Sequence, residues 1–298
     1  MIALREMICA TGLTNPARAA LRYAFSLAEQ FHCGLEVVHV CESPEPRFRD
    51  AYASGAERME RAISAHALRE RLDLVVRALP TGGAGRATTH LLDGELSEAL
   101  LAFAERQHAG LVILGSRPDP DGTRESIAER LMHRTSSGVL TVPSHEPATA
   151  PRIKRLLLVL EPGPNNGSML DWAVLLAGRF GAVVQLMYCA SLRADSESAG
   201  NRLRHDVEEK LRRAQIGIDA SFTEQRSKLA ETVLARATRS SSDLIVMGTA
   251  LRDDAGHNVL CAVRRAATRP VFSLRDVPPV RMFMNRAHRS ATSAAMSE

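Results

Sequence analysis

The chain contains EALLAFAERQHAGLVILGS at Glu98 to Ser116 and, further on, ETVLARATRSSSDLIVMGT at Glu231 to Thr249. Each stretch is a helical run, a short polar break and an apolar run that ends in a glycine and a hydroxyl residue. A continuous apolar run such as Leu111 to Leu114 suits a strand covered on both faces, which is typical of parallel sheets between helix layers. Ligands bind at the carboxyl ends of such strands, so Gly115 and Gly248 are the first positions to consider for function.

The pattern around these stretches repeats along the whole chain. Each half opens with an apolar strand, Glu6 to Ala10 and Leu156 to Leu160. The helix that follows carries the same residue types at the same spacing in both halves, namely Leu21, Ala24, Ala28 and Phe31 in the first and Leu170, Ala173, Ala177 and Phe180 in the second. A repeat of this length indicates two copies of one structural unit.

Boundary residues predict where the first helix starts and stops. Asn15 and Pro16 predict an N-cap followed by proline at the first helical position, and Gly34 predicts the end of the helix. A helix is expected from about 48 to 71, a third strand over Leu72 to Leu79, and an exposed loop over Pro80 to His90.

Strands that alternate with helices predict an α/β fold in which each half is a five-stranded, doubly wound parallel sheet of the Rossmann-like type. Strands one and four should flank the switch point of each sheet. The predicted fifth strands, Gly138 to Val142 and Pro270 to Leu274, are short and apolar, so we expect them to pair with each other. The boundaries are 1–143 for the first domain, 144–153 for a linker, 154–275 for the second domain and 276–298 for a tail.

Composition limits the classes of function. The 298 residues are 45% apolar and carry a formal charge of +4, and no basic stripe interleaved with aromatics predicts nucleic-acid binding. Five scattered cysteines predict reduced thiols, and no stretch has the length of a signal peptide or a membrane span. We therefore expect a cytoplasmic protein without a membrane span.

At this point the chain resembles the universal stress protein family in tandem form. The resemblance rests on MICATGLTNPARAALRYAFSLAEQF, on LVILGSR and LIVMGT, on ESIAERLMHRTSSGVLTVP and on RPVFSL. It implies an adenine nucleotide alpha hydrolase-like fold and a covalent pseudo-dimer that acts in stress responses.

The resemblance also implies a nucleotide site whose motifs have changed. ATP-binding members have an aspartate at the end of strand one, where this chain has Thr11 and Glu161. Their phosphate loop has a second glycine, where this chain has Pro118 and Leu251, and it ends in Gly-Ser, where this chain has Glu125-Ser126 and His257-Asn258. A proline supplies no N–H group and a glutamate repels an anion, so we expect poor binding of a triphosphate.

The candidate nucleotide-binding residues lie at the strand ends, in the apolar walls that could hold adenine, and in the loop that follows strand four. Arg252 is a further candidate phosphate donor in the second half. The full set is Thr11, Gly12, Val40, Leu114, Gly115, Ser116, Arg117, Ser126, Glu161, Cys189, Met247, Gly248 and Thr249. The expected cofactor is ATP or AMP, bound weakly and mainly through the adenosine end, and no metal is expected.

Two other features each allow a structural and a functional interpretation. Cys9, His39 and Cys41 could form a metal site, but buried structural side chains are the preferred interpretation. The arginine-containing tail from 276 could be a short helix that binds a partner or a membrane surface, and a disordered terminus is the preferred interpretation.

The leading hypothesis is a non-enzymatic stress-response protein with weak or altered adenine-nucleotide binding. One alternative is an ATP- or AMP-binding stress sensor, and another is an enzyme of the nucleotide-handling α/β superfamily. No catalytic residues can be nominated. The protein partner is unknown, and association of chains into a homo-oligomer stays open.

Overall fold

A computed structural model describes residues 4–41, 55–79, 87–116, 126–144, 151–161, 166–189, 196–223 and 228–275. These residues form ten strands and eight helices. The first half contains β1 (Glu6–Ala10), α1 (Asn15–Phe31), β2 (Gly34–Cys41), α2 (Gly55–Arg77), β3 (Ala87–Asp93), α3 (Leu96–Arg106), β4 (Leu111–Ser116), α4 (Ile127–Arg134) and β5 (Gly138–Pro143). The second half contains β6 (Arg155–Leu160), α5 (Asn166–Phe180), β7 (Val183–Cys189), α6 (Ser196–Arg213), β8 (Ile218–Thr223), α7 (Leu229–Arg239), β9 (Leu244–Gly248), α8 (Val259–Ala266) and β10 (Val271–Leu274).

The strands follow the predicted doubly wound order in both halves. The sheet order is β3-β2-β1-β4-β5-β10-β9-β6-β7-β8, so β1 lies beside β4 and β6 lies beside β9. Within each half every pairing is parallel. The switch point of each half therefore falls where the sequence predicts it.

The two halves join through their last strands, as predicted. β5 and β10 pair antiparallel, with Val271 opposite Thr141 and Ser273 opposite Val139, and this pairing turns two sheets into one of ten strands. Phe272 from β10 is 1% exposed and packs on the ring of Trp172, with 4.9 Å between ring centroids. Pairing removes two exposed sheet edges and buries apolar side chains, both of which favour the joined state.

Helices cover both faces of this sheet. α1, α2, α5 and α6 pack on one face and α3, α4, α7 and α8 on the other, and each face has one hydrophobic cluster that includes residues of both halves. The halves thus share their cores as well as their sheet.

The third strand was predicted in the wrong place. Leu72 to Leu79 lies in or just after α2, and the third strand is Ala87–Asp93, which includes part of the predicted loop. If this stretch were a strand, Leu72, Leu74 and Val76 would share one face. Instead Leu72 and Val76 are buried and Leu74 is 65% exposed, which only a helical period allows. Residues 80–86 of the predicted loop lie outside the described part of the chain.

The ends of α1 also differ from the prediction. The N-cap is Thr14 rather than Asn15, and the C-cap that follows Phe31 is His32, which has a left-handed φ of 53°. Gly34 instead begins β2, where a Cβ atom would lie 2.2 Å from the Glu6 carboxylate. A larger residue at this position would have to displace the flexible Glu6 side chain of the neighbouring strand.

Candidate functional site

The predicted site residues gather at the carboxyl ends of the central strands. In the first half Ala10 lies opposite Leu114, so Thr11 and Gly12 follow one strand beside Gly115 of the next. In the second half Val159 lies opposite Met247, which brings Glu161 toward the edge that carries Gly248 and Thr249. These strand ends meet at the switch point of each half, the region where open α/β sheets bind ligands, and we call this region the cleft of that half. The assignment of these residues to a nucleotide stays a prediction.

The first cleft begins with a tight turn at Thr11. The Thr11 side-chain oxygen accepts a hydrogen bond from the Leu13 N–H at 3.2 Å, and its own N–H donates to Val38. Nδ1 of His39 donates to the Thr11 carbonyl oxygen at 2.8 Å. Thr11 is 5% exposed, so this residue serves the turn and presents little surface to a ligand. Gly12 and Gly115 are exposed and Ser116 is half-buried.

The four candidate adenine-wall residues lie in one hydrophobic cluster. Val40 and Leu114 are 8% and 7% exposed, whereas Cys189 and Met247 are 1% and 0% exposed. The pair in the first half thus reaches the surface slightly, and the pair in the second half is fully packed. The first cleft is accordingly the more accessible of the two to an apolar ring.

The phosphate-loop position of the first half is partly described. Arg117, Pro118 and Glu125 lie outside the described residues, but Ser126 lies within them. Ser126 is the N-cap of α4: its hydroxyl accepts the Glu129 N–H at 3.2 Å, and its own N–H donates to the Glu129 carboxylate at 2.9 Å. Nη2 of Arg264 from the other half also donates to the Ser126 hydroxyl, at 2.5 Å.

The corresponding loop of the second half folds back on itself. The Thr249 carbonyl oxygen accepts hydrogen bonds from Nη1 of Arg252 at 2.9 Å and from Nδ2 of Asn258 at 3.2 Å. The Val259 N–H donates to the carbonyl oxygen of Leu251, which is 5% exposed. Asn258 also caps α8 by accepting the Cys261 N–H at 3.2 Å. Arg252, a candidate phosphate donor, therefore binds the protein's own backbone.

The Asp253 carboxylate accepts hydrogen bonds from two backbone N–H groups at the tip of this loop. One Asp253 oxygen accepts the N–H groups of Ala255 and His257 at 3.0 Å and 2.8 Å, and the other lies 3.2 Å from Nδ1 of His257. The His257 N–H is the chief cause that lowers the pKa of Asp253. Converging backbone N–H groups are what a phosphate needs, and here an internal anion already holds them. The sequence analysis missed Asp253, whose only signal is an acidic residue before a Gly-containing turn.

A buried ionic cluster of Glu129, Arg264 and Arg265 joins the two halves, and these residues were not among the predicted site residues. The Glu129 side chain is 3% exposed and that of Arg264 7% exposed, and Nη2 of Arg264 donates to Oε1 of Glu129 at 2.6 Å. Arg265, 34% exposed, donates through Nε to Oε1 at 3.2 Å and through Nη2 to Oε2 at 3.3 Å. Burial acts to raise the pKa of Glu129, but the Ser126 N–H and the two guanidinium groups outweigh it and hold that pKa below its ordinary value.

Of the three candidate metal ligands, Cys9 is packed in the core, His39 is hydrogen-bonded to the Thr11 carbonyl oxygen and Cys41 is half-buried. Cys9 is fully buried, and burial raises the pKa of its thiol to about 12. Burial followed by the charge of Asp93 raises the pKa of the half-buried Cys41 thiol. Among the residues that the structure describes, no group of three or more His, Cys, Asp or Glu is arranged to hold a metal ion. Within those same residues, no helix combines the length and apolarity needed to cross a membrane.

The fold and its clefts define a tandem α/β protein of the doubly wound class. Residues 4–143 match the model of the universal stress protein family, in line with the resemblance seen in the sequence. No curated protein matches the chain.

Solved structures share the fold over nearly the full length of the chain. A universal stress protein from Archaeoglobus fulgidus has a TM-score of 0.65 and 13% identity, and the match covers 91% of this chain and 96% of that one. A putative universal stress protein from Pseudomonas aeruginosa has a TM-score of 0.56 and 16% identity, with 92% and 94% covered. At these identities the similarity concerns the fold alone.

Proposed function

We propose that the protein is a non-enzymatic, cytoplasmic stress-response protein. Its two halves act as a covalent pseudo-dimer that binds an adenine nucleotide, ATP or AMP, weakly and mainly through the adenosine end. The match of residues 4–143 to the universal stress protein family supports the stress-response role. The proposal on phosphate binding rests on the chemistry of the loops.

One observation carries this proposal: the Asp253 carboxylate accepts the N–H groups of Ala255 and His257. A triphosphate at this loop would have to displace an anion from donors that it already holds, and would meet its negative charge. The Arg252 guanidinium, which could offset that charge, is hydrogen-bonded to the Thr249 and Leu251 carbonyl oxygens.

The first half supports the same conclusion by a different route. The Ser126 hydroxyl accepts the Glu129 N–H and also receives Arg264, so its lone pairs are engaged at the interface between the halves. The exposed Gly12 and Gly115, beside the slightly exposed Val40 and Leu114, remain as the surface that an adenosine could contact. Such a surface suits an apolar ring with a few backbone hydrogen bonds.

Titration calorimetry of the full chain with adenosine, AMP and ATP tests the proposal. We expect the three affinities to lie within about tenfold of one another, because the phosphates add little binding free energy, less than about 1.4 kcal/mol. Submicromolar binding of ATP that weakens sharply when the γ-phosphate is removed would refute this interpretation of the loops.

Two loop variants separate the roles of the N–H groups and of net charge. Asp253→Ala frees two N–H donors and removes one negative charge in the second half, so ATP binding at the second cleft should become about tenfold tighter, while adenosine binding at the first cleft stays unchanged. Asp254→Ala is the matched control, since Asp254 is exposed and has no hydrogen bond or ion pair within the described residues. Equal effects of the two variants would show that charge alone, and not occupation of the donors, decides phosphate binding.

A further inference from the structure

A groove of about 360 Å³ lies between α1 and α2 on the surface of the first half. None of its lining residues belongs to the strand-end clefts. We call it the α1–α2 groove, and it is lined by Arg18, Leu21, Arg22, Arg71, Leu74, Val75, Ala78 and Leu79. A volume of this size is within the range of small-molecule sites.

The floor of the groove is apolar and one edge is open. Leu21 is fully buried, and Val75 and Leu79 are partly buried against the core below. Leu74 is 65% exposed, so the groove presents apolar surface to water. An apolar ligand would remove this surface from water, and that burial favours binding.

The rim of the groove is cationic. Arg18, Arg22 and Arg71 line it, and the lining includes no aspartate or glutamate. Within the described residues none of the three guanidinium groups has an ion pair, and Nε of Arg22 is buried without a hydrogen-bond partner. The exposed guanidinium groups of Arg18 and Arg71 have no ion pair within the described residues, so they are available to an anionic ligand.

The second half provides an internal comparison. Leu21 and Leu170 are equivalent in the repeat, which makes Asp171 the counterpart of Arg22. On the neighbouring helix, Val207 and Leu211 are buried like Leu72 and Val76, which makes Lys210 the counterpart of Val75. The equivalent positions can therefore be compared directly.

The two halves differ in the charge and polarity of the side chains at these equivalent positions. In the second half Lys210 and Asp171 form an ion pair at 2.5 Å, and Glu209 pairs with Arg213 on the same helix. In the first half the counterparts of Lys210, Glu209 and Arg213 are the apolar Val75, Leu74 and Ala78. The second half thus neutralises its own charges, whereas the first half presents cations around an apolar surface.

We propose that the α1–α2 groove binds an amphiphilic anion, an apolar chain that ends in a single carboxylate. The carboxylate accepts hydrogen bonds from the guanidinium group of Arg22, with Arg18 and Arg71 beside it, and the chain lies on Leu74 and Val75. Binding of this ligand needs both its charge and its apolar chain, because an exposed cation alone binds an anion weakly in water.

Calorimetry with four probes tests the chemistry of the ligand on the full chain. Decanoate should bind with 1:1 stoichiometry, and in the series from hexanoate to decanoate each added methylene should raise the affinity about fourfold. Decanol tests the chain without the charge and should bind at least about tenfold more weakly than decanoate, while acetate, which has only the charge, should not bind measurably. Decanoate that fails to bind, or that binds no better than decanol, would overturn the proposal.

Variants locate the site. Arg22→Gln should weaken decanoate binding at least about tenfold and leave decanol binding unchanged. Arg179→Gln, an exposed arginine on α5, is the matched control for the loss of one charge and should have no effect. The double variant Arg22→Asp with Val75→Lys copies the ion pair of the second half, and it should abolish decanoate binding while circular dichroism confirms the fold. Equal decanoate binding by wild type and either groove variant would contradict the assignment.

Discussion

Replacing Glu129 by glutamine should destabilise the protein more than any single change at an exposed ion pair. The glutamine side-chain oxygen can still accept the Ser126 N–H, so the cap of α4 is retained. What is lost is the carboxylate that pairs with Arg264 and with Arg265. Two guanidinium groups would then face each other at the junction, one of them 7% exposed.

The magnitude follows from burial. Removing one partner of a buried ion pair costs about 3 to 5 kcal/mol, because the other charge stays buried without compensation. Arg265 is 34% exposed and can turn toward water, which places the expected loss for Glu129→Gln near the lower end, about 3 kcal/mol. Asp171→Asn is the matched control: its partner Lys210 is also on another helix, but both side chains are about 40% exposed, so the expected loss is below about 1 kcal/mol.

Urea unfolding measures these changes. The single tryptophan, Trp172, packs at the junction and reports the second half, whereas far-UV circular dichroism reports both halves. The double variant of Glu129→Gln with Arg264→Gln should lose less stability than the sum of the two single variants, since the second substitution removes an unpaired cation. A loss for Glu129→Gln no larger than that for Asp171→Asn, or strict additivity in the double variant, would refute the argument that this cluster is a buried and mutually dependent unit.

Three further predictions concern pH, packing and thiol reactivity. The folded protein holds the pKa of Glu129 below its ordinary 4.5, so the stability difference between wild type and Glu129→Gln should be present above that ordinary value and be lost as pH falls through the lower folded pKa; a difference that stays constant down to the acid unfolding of the protein would contradict this. Gly138→Ala places a Cβ 2.6 Å from the Phe272 ring and should cost about 1 to 3 kcal/mol in urea unfolding, whereas Gly178→Ala, which has open space, should cost nothing. The Cys9 thiol should react with alkylating reagents only after denaturation, because it is fully buried and burial raises its pKa to about 12. Labelling of Cys9 under native conditions, measured by mass spectrometry, would contradict this prediction.

The sequence was informative where one local pattern decides the structure. Continuous apolar runs that end in glycine predicted β4 and β9, and the repeat of Leu21 and its neighbours predicted two equivalent halves. Pairing through the last strands followed from short apolar edges that have no other way to be covered. In each case local preference and tertiary burial favour the same structure.

The prediction of the third strand was wrong because local preference and tertiary burial disagree there. Leu72 to Leu79 is rich in branched apolar residues, and such a run is compatible with a strand or a buried helix. The decisive fact is the 65% exposure of Leu74, which sequence cannot supply. The same exposed leucine lines the α1–α2 groove.

The ionic cluster and the Asp253 turn were beyond local sequence reasoning for different reasons. Glu129 and Arg264 are 135 positions apart, and only the antiparallel junction of β5 and β10 brings α4 to α8. Asp253 acts through two backbone N–H groups close in sequence, but an acidic residue in a Gly-containing loop is too common to identify such a turn.

The two cap residues connect the loops to the junction. Ser126 and Asn258 occupy equivalent positions at the starts of α4 and α8, and each accepts an N–H from its own helix. Ser126 also receives Arg264, whereas Asn258 donates to the Thr249 carbonyl oxygen and closes the loop. A ligand phosphate at either position would have to break a hydrogen bond that stabilises a helix start, and in the first half it would also compete with Glu129 for Arg264. Such a ligand would therefore weaken the junction as it bound. We infer that the junction between the halves is held by the protein's own charges and does not require a bound nucleotide.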